Sequence, residues 1–120
     1  MSRNLSDLIA DRFGVRTEAA IGRTATTVGT TAVDILRNDP RRVAATIINL
    51  GAVAIYVTPD GAPSATRGIR LGANGGSMTI EWEHDFDLVG WAWSAIADAA
   101  ATPLLIIEVL VRPGPRTVVD

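Results

Sequence analysis

Residues 42–58, which read RVAATIINLGAVAIYVT, decide the fold. Val43, Ala45 and Ile47 would share one face of a strand over residues 42–50. The opposite face is also apolar or small, so we expect both sides of this strand to be at least half buried. Residues 53–58 continue the alternation, and Asn49-Leu50-Gly51-Ala52 between the two segments is typical of a tight connection. The stretch therefore predicts two β-strands joined as a β-hairpin.

The same period of two continues on both sides of this stretch. Val33 and Ile35 alternate before it, and further strands are expected at residues 69–71, 77–83, 88–96 and 104–111. In the strand over residues 77–83, the inward side chains would be Met78, Ile80 and Trp82. The dipeptide Asn74-Gly75 is typical of a hairpin turn. Seven or eight short strands separated by turns predict an all-β fold, either an antiparallel β-sandwich or a jelly-roll-like barrel.

A short helix and an extended arm are expected before the first strands. The helix would span residues 4–13, with an apolar stripe formed by Leu5, Leu8, Ile9 and Phe13, and Gly14 would cap its C-terminus. About ten helical residues are marginal in water, so this stripe should dock on another surface. Residues 15–31 are small and Thr-rich, which suits an arm or a first edge strand. The expected organisation is a helix and anchoring arm (1–30), a β-sandwich (31–112) and a tail (113–120).

The composition limits the classes of partner. Of the 120 residues, 48% are hydrophobic, and a body this small buries only about two-thirds of its unfolded surface, so part of the apolar surface should contact another chain. The sequence has no uninterrupted apolar segment long enough for a membrane helix, and its charged first residues predict no signal peptide. A net charge of −2 argues against a broad nucleic-acid-binding surface, although all 11 basic residues are Arg. The absence of Cys excludes disulfides and thiolate chemistry.

Besides the helix stripe of Leu5, Leu8, Ile9 and Phe13, two further sets of residues are predicted to form an oligomer or capsid interface. Residues 104–111 (LLIIEVLV) are apolar on both faces except at Glu108, which indicates a central strand or one covered by a partner. Its interface residues would be Leu105, Ile107 and Val109. Beside the turn at residues 38–40, the cationic candidates are Arg37, Arg41 and Arg42. They either pair across a subunit boundary with the acidic residues 81–87 or remain solvated.

The acidic stretch at residues 81–87, EWEHDFD, is the strongest candidate for chemistry. If it is extended, its four carboxylates project to one side, about 6.6 Å apart, which is too straight an arrangement to surround a calcium ion. His84 has no neighbouring nucleophile, and no hydrolase, zinc or phosphate-binding motif is present. We therefore expect a solvated or Arg-facing acidic edge, with no catalytic, metal-binding or cofactor-binding residues and no cofactor.

Trp91 and Trp93 would share one face of a strand over residues 88–96. Such a pair could form a platform on which a sugar stacks, as in a carbohydrate-binding module. The simpler interpretation is that these rings supply bulk to the core or to a subunit interface, because the chain has few other aromatic residues.

The sequence resembles small β-sandwich virion proteins of tailed bacteriophages. The resemblance lies in residues 38–51 (NDPRRVAATIINLG) and 54–57 (AIYV), and extends through 68–71 (GIRL), 87–92 (DLVGWA) and the closing strand at 105–109. Proteins of this kind serve as capsid decoration (cement) proteins, head-fibre bases or tail-associated adhesins, and many are trimers. The resemblance implies a β-sandwich and a structural role.

The leading hypothesis is a non-enzymatic capsid decoration protein that binds the major capsid protein, or another virion protein, as a homo-oligomer. A trimer is favoured over a dimer, and the N-terminal helix and arm would clamp neighbouring subunits by strand addition. The protein would be made in the bacterial cytoplasm and reside on the capsid surface, with no nucleic-acid or membrane partner. The alternatives are a fibre-associated adhesin or carbohydrate-binding module, and a small metal-assisted enzyme at residues 81–87.

Overall fold

A computed structural model describes residues 5–59 and 61–112, with only the backbone for Ser6. In these residues the strands are β1 (Thr17–Ile21), β2 (Thr27–Val28), β3 (Val33–Leu36), β4 (Arg42–Asn49), β5 (Ile55–Thr58), β6 (Ile69–Leu71), β7 (Ser77–Glu81), β8 (Trp93–Ala97) and β9 (Thr102–Val111). The helices are α1 (Leu5–Phe13) and α2 (Trp82–Asp85), and a 3-10 helix (Phe86–Gly90) directly follows α2.

The strands form two antiparallel sheets. Sheet I has the order β1-β9-β4-β7, with β2 also paired to β9, and sheet II has the order β3-β8-β5-β6. The buried apolar side chains of both sheets form one common core. The protein is therefore an antiparallel β-sandwich with a short N-terminal helix, which confirms the predicted all-β class.

Strand β9 lies at the centre of sheet I, between β1 and β4. Its side chains alternate between the sandwich interior and the outer face of the sheet, because successive residues of a strand point to opposite sides. The buried set is Leu104, Ile106, Glu108 and Leu110, and the half-buried set is Leu105, Ile107 and Val109. The prediction of a central strand is confirmed, although the sequence did not indicate that Glu108 would point inward.

The predicted hairpin at residues 42–58 is wrong, because β4 belongs to sheet I and β5 to sheet II. The side chain of Asn49 fixes the crossing between the sheets. Its amide nitrogen donates to the carbonyl oxygens of Val53 (2.8 Å) and Leu71 (3.0 Å), and its Oδ1 accepts from the Gly51 backbone (2.9 Å). Asn49 thus satisfies backbone groups of the connection between the sheets and of the end of β6.

The turn at Asn74-Gly75 forms but does not close a hairpin either. Both residues have a positive φ, 59° and 112°, as the dipeptide predicts. The strands on either side nevertheless belong to different sheets, since β6 pairs with β5 and β7 pairs with β4. The local prediction of a turn is therefore correct. The strands that flank this turn do not pair with each other, because they lie in different sheets on either side of the core.

The strands predicted over residues 77–83 and 88–96 are both shorter than expected. Strand β7 ends at Glu81 because the next residues turn into α2, and Asp85 Oδ2 accepts a hydrogen bond from the Glu81 backbone nitrogen (2.8 Å). Strand β8 begins only at Trp93. As a consequence Trp82, predicted to face inward, is 48% exposed.

The N-terminal segment contains the expected helix and then joins the sandwich. Helix α1 ends at Phe13, and Gly14 follows with φ 75° while its nitrogen donates to the Ala10 carbonyl (2.8 Å). Strands β1 and β2 pair with β9 of the same chain, so residues 17–28 form an edge of sheet I. The predicted tail at 113–120 lies outside the described residues. In the part of the chain that the structure describes, neither helix has the length and apolar character needed to span a bilayer.

Candidate functional site

Arg42 lies inside the sandwich and connects three segments of the chain. It is 2% exposed, and its Nε donates to Glu108 Oε2 at 2.7 Å. Its Nη1 donates to the carbonyl oxygens of Val89 and Trp91, both at 3.1 Å, and its Nη2 donates to that of Arg37 at 2.6 Å. The planar guanidinium thus joins sheet I to the 3-10 helix and to the end of β3.

Glu108 is completely buried and accepts hydrogen bonds from two arginines. Besides Arg42, Arg23 donates to it in a bidentate manner, from Nε to Oε1 at 3.0 Å and from Nη2 to Oε2 at 2.8 Å. Arg23 Nη2 also donates to Asp39 Oδ2 at 2.9 Å. The cluster contains two cations and two carboxylates, so its formal charges cancel, as burial of charge requires.

The predicted role of Arg42 at an interface is wrong, because a side chain inside the sandwich cannot contact a partner. The predicted pairing with residues 81–87 is also wrong for Arg42, whose carboxylate partner is Glu108. Arg37 and Arg41 remain at the surface, and Arg41 Nε lies 3.6 Å from Asp39 Oδ1. The period of the sequence does not reveal whether an arginine at the first position of a strand points into the sandwich or away from it.

The cluster shifts the pKa values of its acidic members downward. Burial alone would raise the pKa of Glu108, but hydrogen bonds from Arg23 and Arg42 bring it below its ordinary value. Burial acts in the same direction on Asp39, where hydrogen bonds from the Arg41 backbone and from Arg23 lower the pKa. Hydrogen bonds to Glu108 and then Asp39 raise the pKa of Arg23. Both carboxylates are therefore ionised at neutral pH.

The acidic stretch 81–87 is helical, so the expectation of a flat row of carboxylates is wrong. Glu81 ends β7, and residues 82–87 continue through α2 into the 3-10 helix. His84 Nδ1 contacts Glu81 Oε1 on the surface. Within residues 5–59 and 61–112, no three His, Asp or Glu side chains are grouped so that they could hold a metal ion.

A cleft of about 530 Å³ lies between the turn at residues 38–40 and the segment 82–91. This volume is within the usual range of small-molecule sites. Three partly exposed aromatic side chains line it: Trp82 (48%), Phe86 (76%) and Trp91 (47%). Polar lining comes from Asn38 and Asp87, and Pro40 and Val43 add apolar surface. We call this site the aromatic cleft.

Hydrogen bonds hold the two walls of the aromatic cleft in place. The Asp39 nitrogen donates to the Gly90 carbonyl at 2.8 Å, so the turn and the 3-10 helix are joined directly. A Cβ at Gly90 would lie 3.1 Å from the Asp39 carbonyl oxygen, closer than side chains normally approach. Arg42 adds its hydrogen bonds to carbonyl groups in both walls. The site is therefore shaped before any ligand arrives.

The predicted platform of Trp91 and Trp93 is wrong, because the two rings are not on one face. Trp93 is 3% exposed and its Nε1 donates to the Leu88 carbonyl at 2.9 Å, while Trp91 lines the cleft. The alternation fails because the chain leaves the 3-10 helix and enters β8 between these residues. Trp93 belongs to the core, as the simpler interpretation predicted, and the partner of Trp91 in the cleft is Trp82, nine positions earlier.

The outer face of sheet I brings the predicted interface residues of β9 together with apolar side chains of two neighbouring strands. Directly paired residues share a face, and the pairs on this side include Val109 with Ala44 and Ala19, Ile107 with Thr46 and Ile21, and Leu105 with Ile48. Ile21 is exposed, and the β9 residues are half buried. We call this surface the outer face.

The apolar stripe of α1 is largely exposed in the single chain. Leu5, Leu8 and Phe13 are each at least half exposed, and Ile9 is half buried. The Phe13 ring meets the Trp82 ring edge-on, with centroids 6.5 Å apart. This contact places the end of α1 beside the aromatic cleft.

The class that the structure defines is an antiparallel β-sandwich with an aromatic cleft and an apolar outer face. No protein-family model matches the chain, and no curated protein matches it. Among solved structures it is similar to dTDP-4-dehydrorhamnose 3,5-epimerase (rfbC) from Bacillus anthracis, at 14% identity and a TM-score of 0.38. That match covers 95% of this chain and 64% of the epimerase chain, so this chain spans less than two thirds of that length.

Proposed function

We propose that this protein is a non-enzymatic structural protein of a virion, a capsid decoration protein that assembles as a homo-oligomer. The observation that supports assembly most directly is the outer face, where apolar side chains of β1, β9 and β4 adjoin one another. The bacteriophage-like sequence of residues 38–51 supports the virion role. A trimer is favoured, and a dimer is the alternative.

The size of the outer face explains why α1 is needed. Three strands about 4.8 Å apart, over about five residues each, present a surface of roughly 240 Å². A stable interface buries about 800 Å² per partner, so the sheet alone is too small. The exposed stripe of α1, with Leu5, Leu8 and Phe13, supplies further apolar area against a neighbouring subunit. At roughly 25 cal/mol per Å², each 100 Å² of apolar burial contributes about 2.5 kcal/mol before the cost of association.

The outer face also suits long residence on a particle. It contains no buried ionic group, since its central residues Leu105, Ile107 and Val109 are aliphatic. Aliphatic contacts carry no charge that salt could screen or acid could titrate, and they act mainly by slowing dissociation. A decoration protein needs a long-lived contact more than a fast one.

Assembly is tested by introducing a charge into the outer face. Ile21→Glu places a carboxylate on the exposed edge strand β1, and the matched control Ile69→Glu makes the same change at an exposed position of β6 in sheet II. Light scattering should give a trimer or dimer for the wild type and for Ile69→Glu, and a folded monomer for Ile21→Glu. A monomeric wild type at micromolar concentration, or equal dissociation of both variants, would contradict the proposal.

The capsid role is tested separately, by co-sedimentation with tailed-bacteriophage capsids assembled from their major capsid protein. Saturable binding is expected for the wild type, with loss of binding in a Leu8→Glu variant of α1. If the chain forms an oligomer but does not sediment with the particles, the capsid role is wrong and the assembly proposal stands.

A further inference from the structure

We propose that the aromatic cleft binds a neutral sugar of one or two rings. The C–H groups on the face of a sugar ring would lie against Trp82 and Trp91, and its hydroxyl groups would bond to the side chains of Asn38 and Asp87. This inference concerns a different surface from the outer face, and it does not depend on oligomerisation.

The distribution of aromatic residues is the first argument. The chain has six Phe, Trp and Tyr residues, and three of them line this one cleft while a fourth, Phe13, contacts Trp82. Trp93 shows that the core takes an indole almost entirely out of water, at 3% exposure. Trp82 and Trp91 remain about half exposed beside it, with ring surface that the sandwich leaves uncovered.

The backbone of Phe86 is the second argument. Its φ of 53° and ψ of −130° are a conformation that suits glycine, and a residue with a side chain is strained there. Burial of the ring does not offset the strain, because Phe86 is 76% exposed. The strained backbone therefore projects an apolar ring into solvent at the rim of the cleft, where it can cover a bound ligand.

Charge and volume select the class of ligand. The charged side chains lining the cleft are Arg42, which is neutralised by Glu108, and Asp87. The segment on one side adds Glu81, Glu83 and Asp85, and the turn on the other side adds Arg37 and Arg41, so the surroundings are acidic on balance and disfavour phosphate and acidic sugars. A volume of about 530 Å³ is larger than a single ammonium group needs and fits one or two sugar rings. Carboxylate and amide groups beside exposed rings suit a ligand with both an apolar face and hydroxyl groups.

Rigidity is the last argument. The hydrogen bonds from Arg42 and the contact between Gly90 and Asp39 fix both walls, so binding would order little of the protein. A preformed site loses less affinity to ordering than a flexible one does. A weak, shallow contact with a hydroxylated ligand then becomes sufficient for millimolar binding.

The experiment measures tryptophan fluorescence of the full chain during titration with maltose, cellobiose, lactose and N,N′-diacetylchitobiose. At least one of these should give saturable quenching in the millimolar range or below. Trp91→Ala and Asp87→Asn should each weaken that binding at least tenfold. Tyr56→Ala, which changes an aromatic residue of sheet II, should leave it unchanged.

Phe86→Gly keeps the test decisive if a tryptophan variant fails to fold. This variant removes the ring and relieves the backbone strain, so it should be fully folded and bind the sugar at least tenfold more weakly. Sialyllactose and tetramethylammonium serve as anionic and cationic probes. The proposal is overturned if no neutral sugar binds, or if Phe86→Gly binds the sugar as the wild type does. It is also overturned if a charged probe is the only ligand that binds.

Discussion

The two faces of β9 differ in how they use charge. Toward the interior, Glu108 lies in the same row as Leu104 and Ile106 and binds two arginines, whereas the outward row of Leu105, Ile107 and Val109 is entirely aliphatic. An ion pair inside a protein adds little net stability, since desolvation offsets much of the attraction. What the inner face gains is geometry, because Arg42 fixes the carbonyl groups of both cleft walls. In the proposed oligomer, the outer face would contribute only through its apolar area.

Removing the carboxylate from the inner face should have the largest effect. Glu108→Ala leaves Arg42 buried with no counter-charge, and we expect the free energy of unfolding to fall by about 3–5 kcal/mol. Urea denaturation measures the loss, and Val109→Ala on the outer face is the adjacent control, with an expected cost of about 1 kcal/mol. A loss as small as the control's would show that the ionic cluster does not hold the sandwich together.

Alanine at two adjacent aliphatic positions compares the faces without charge. Ile106 is buried, so Ile106→Ala should lower the free energy of unfolding by about 2–4 kcal/mol. Ile107 is half buried, and Ile107→Ala should cost about 1 kcal/mol in the monomer and weaken the oligomer in addition. Denaturation at several protein concentrations separates the two contributions. Equal, concentration-independent losses would mean that no partner covers the outer face.

Acid should weaken the inner face and leave the outer face unaffected. The pKa values of Glu108 and Asp39 are below their ordinary values of 4.5 and 3.8, so their ionised forms stabilise the folded state. This stability is fully present above the ordinary values and is lost as the pH falls through them toward the folded-state pKa values. Thermal unfolding from pH 7 to pH 3 should show the decline, and Glu108→Gln should flatten it. A wild-type profile no steeper than that of the variant would contradict the assignment.

The sequence predicts the fold class well and the strand partners poorly, for a physical reason. Alternation reports that a segment is extended and half buried, which is why β4 and β9 are found close to their expected bounds, and the helical spacing of the apolar stripe does the same for α1. Alternation contains no information about which sheet a strand joins, so the sequence predicts a hairpin where the chain crosses between the sheets at Asn49. That choice depends on one amide side chain bonding to carbonyl groups that are distant in sequence.

The cleft could be predicted only in part. Its residues come from two segments some 40 positions apart. In addition, the period-two pattern through 77–96 conceals the helical segment between β7 and β8, which turns Trp82 and Trp91 away from the core that contains Trp93. Glu108 gave only part of a signal, because a lone acid in an aliphatic strand requires a buried cation if it points inward, and the sequence did not indicate which way it points. The identity of that cation, Arg42, required the register of β4 against β9.

The smallest predicted effect is an increase in the free energy of unfolding rather than a decrease. Phe86→Gly allows the φ of 53° at no steric cost and removes a ring that is already 76% exposed. We therefore expect it to raise the free energy of unfolding by about 1 kcal/mol, measured by urea denaturation. Asn74→Gly is the control, because asparagine tolerates its φ of 59° and should gain much less. A destabilised Phe86→Gly would mean that the ring supports the fold, and a stabilised one would mean that the protein keeps a strained aromatic residue for contact with something outside the chain.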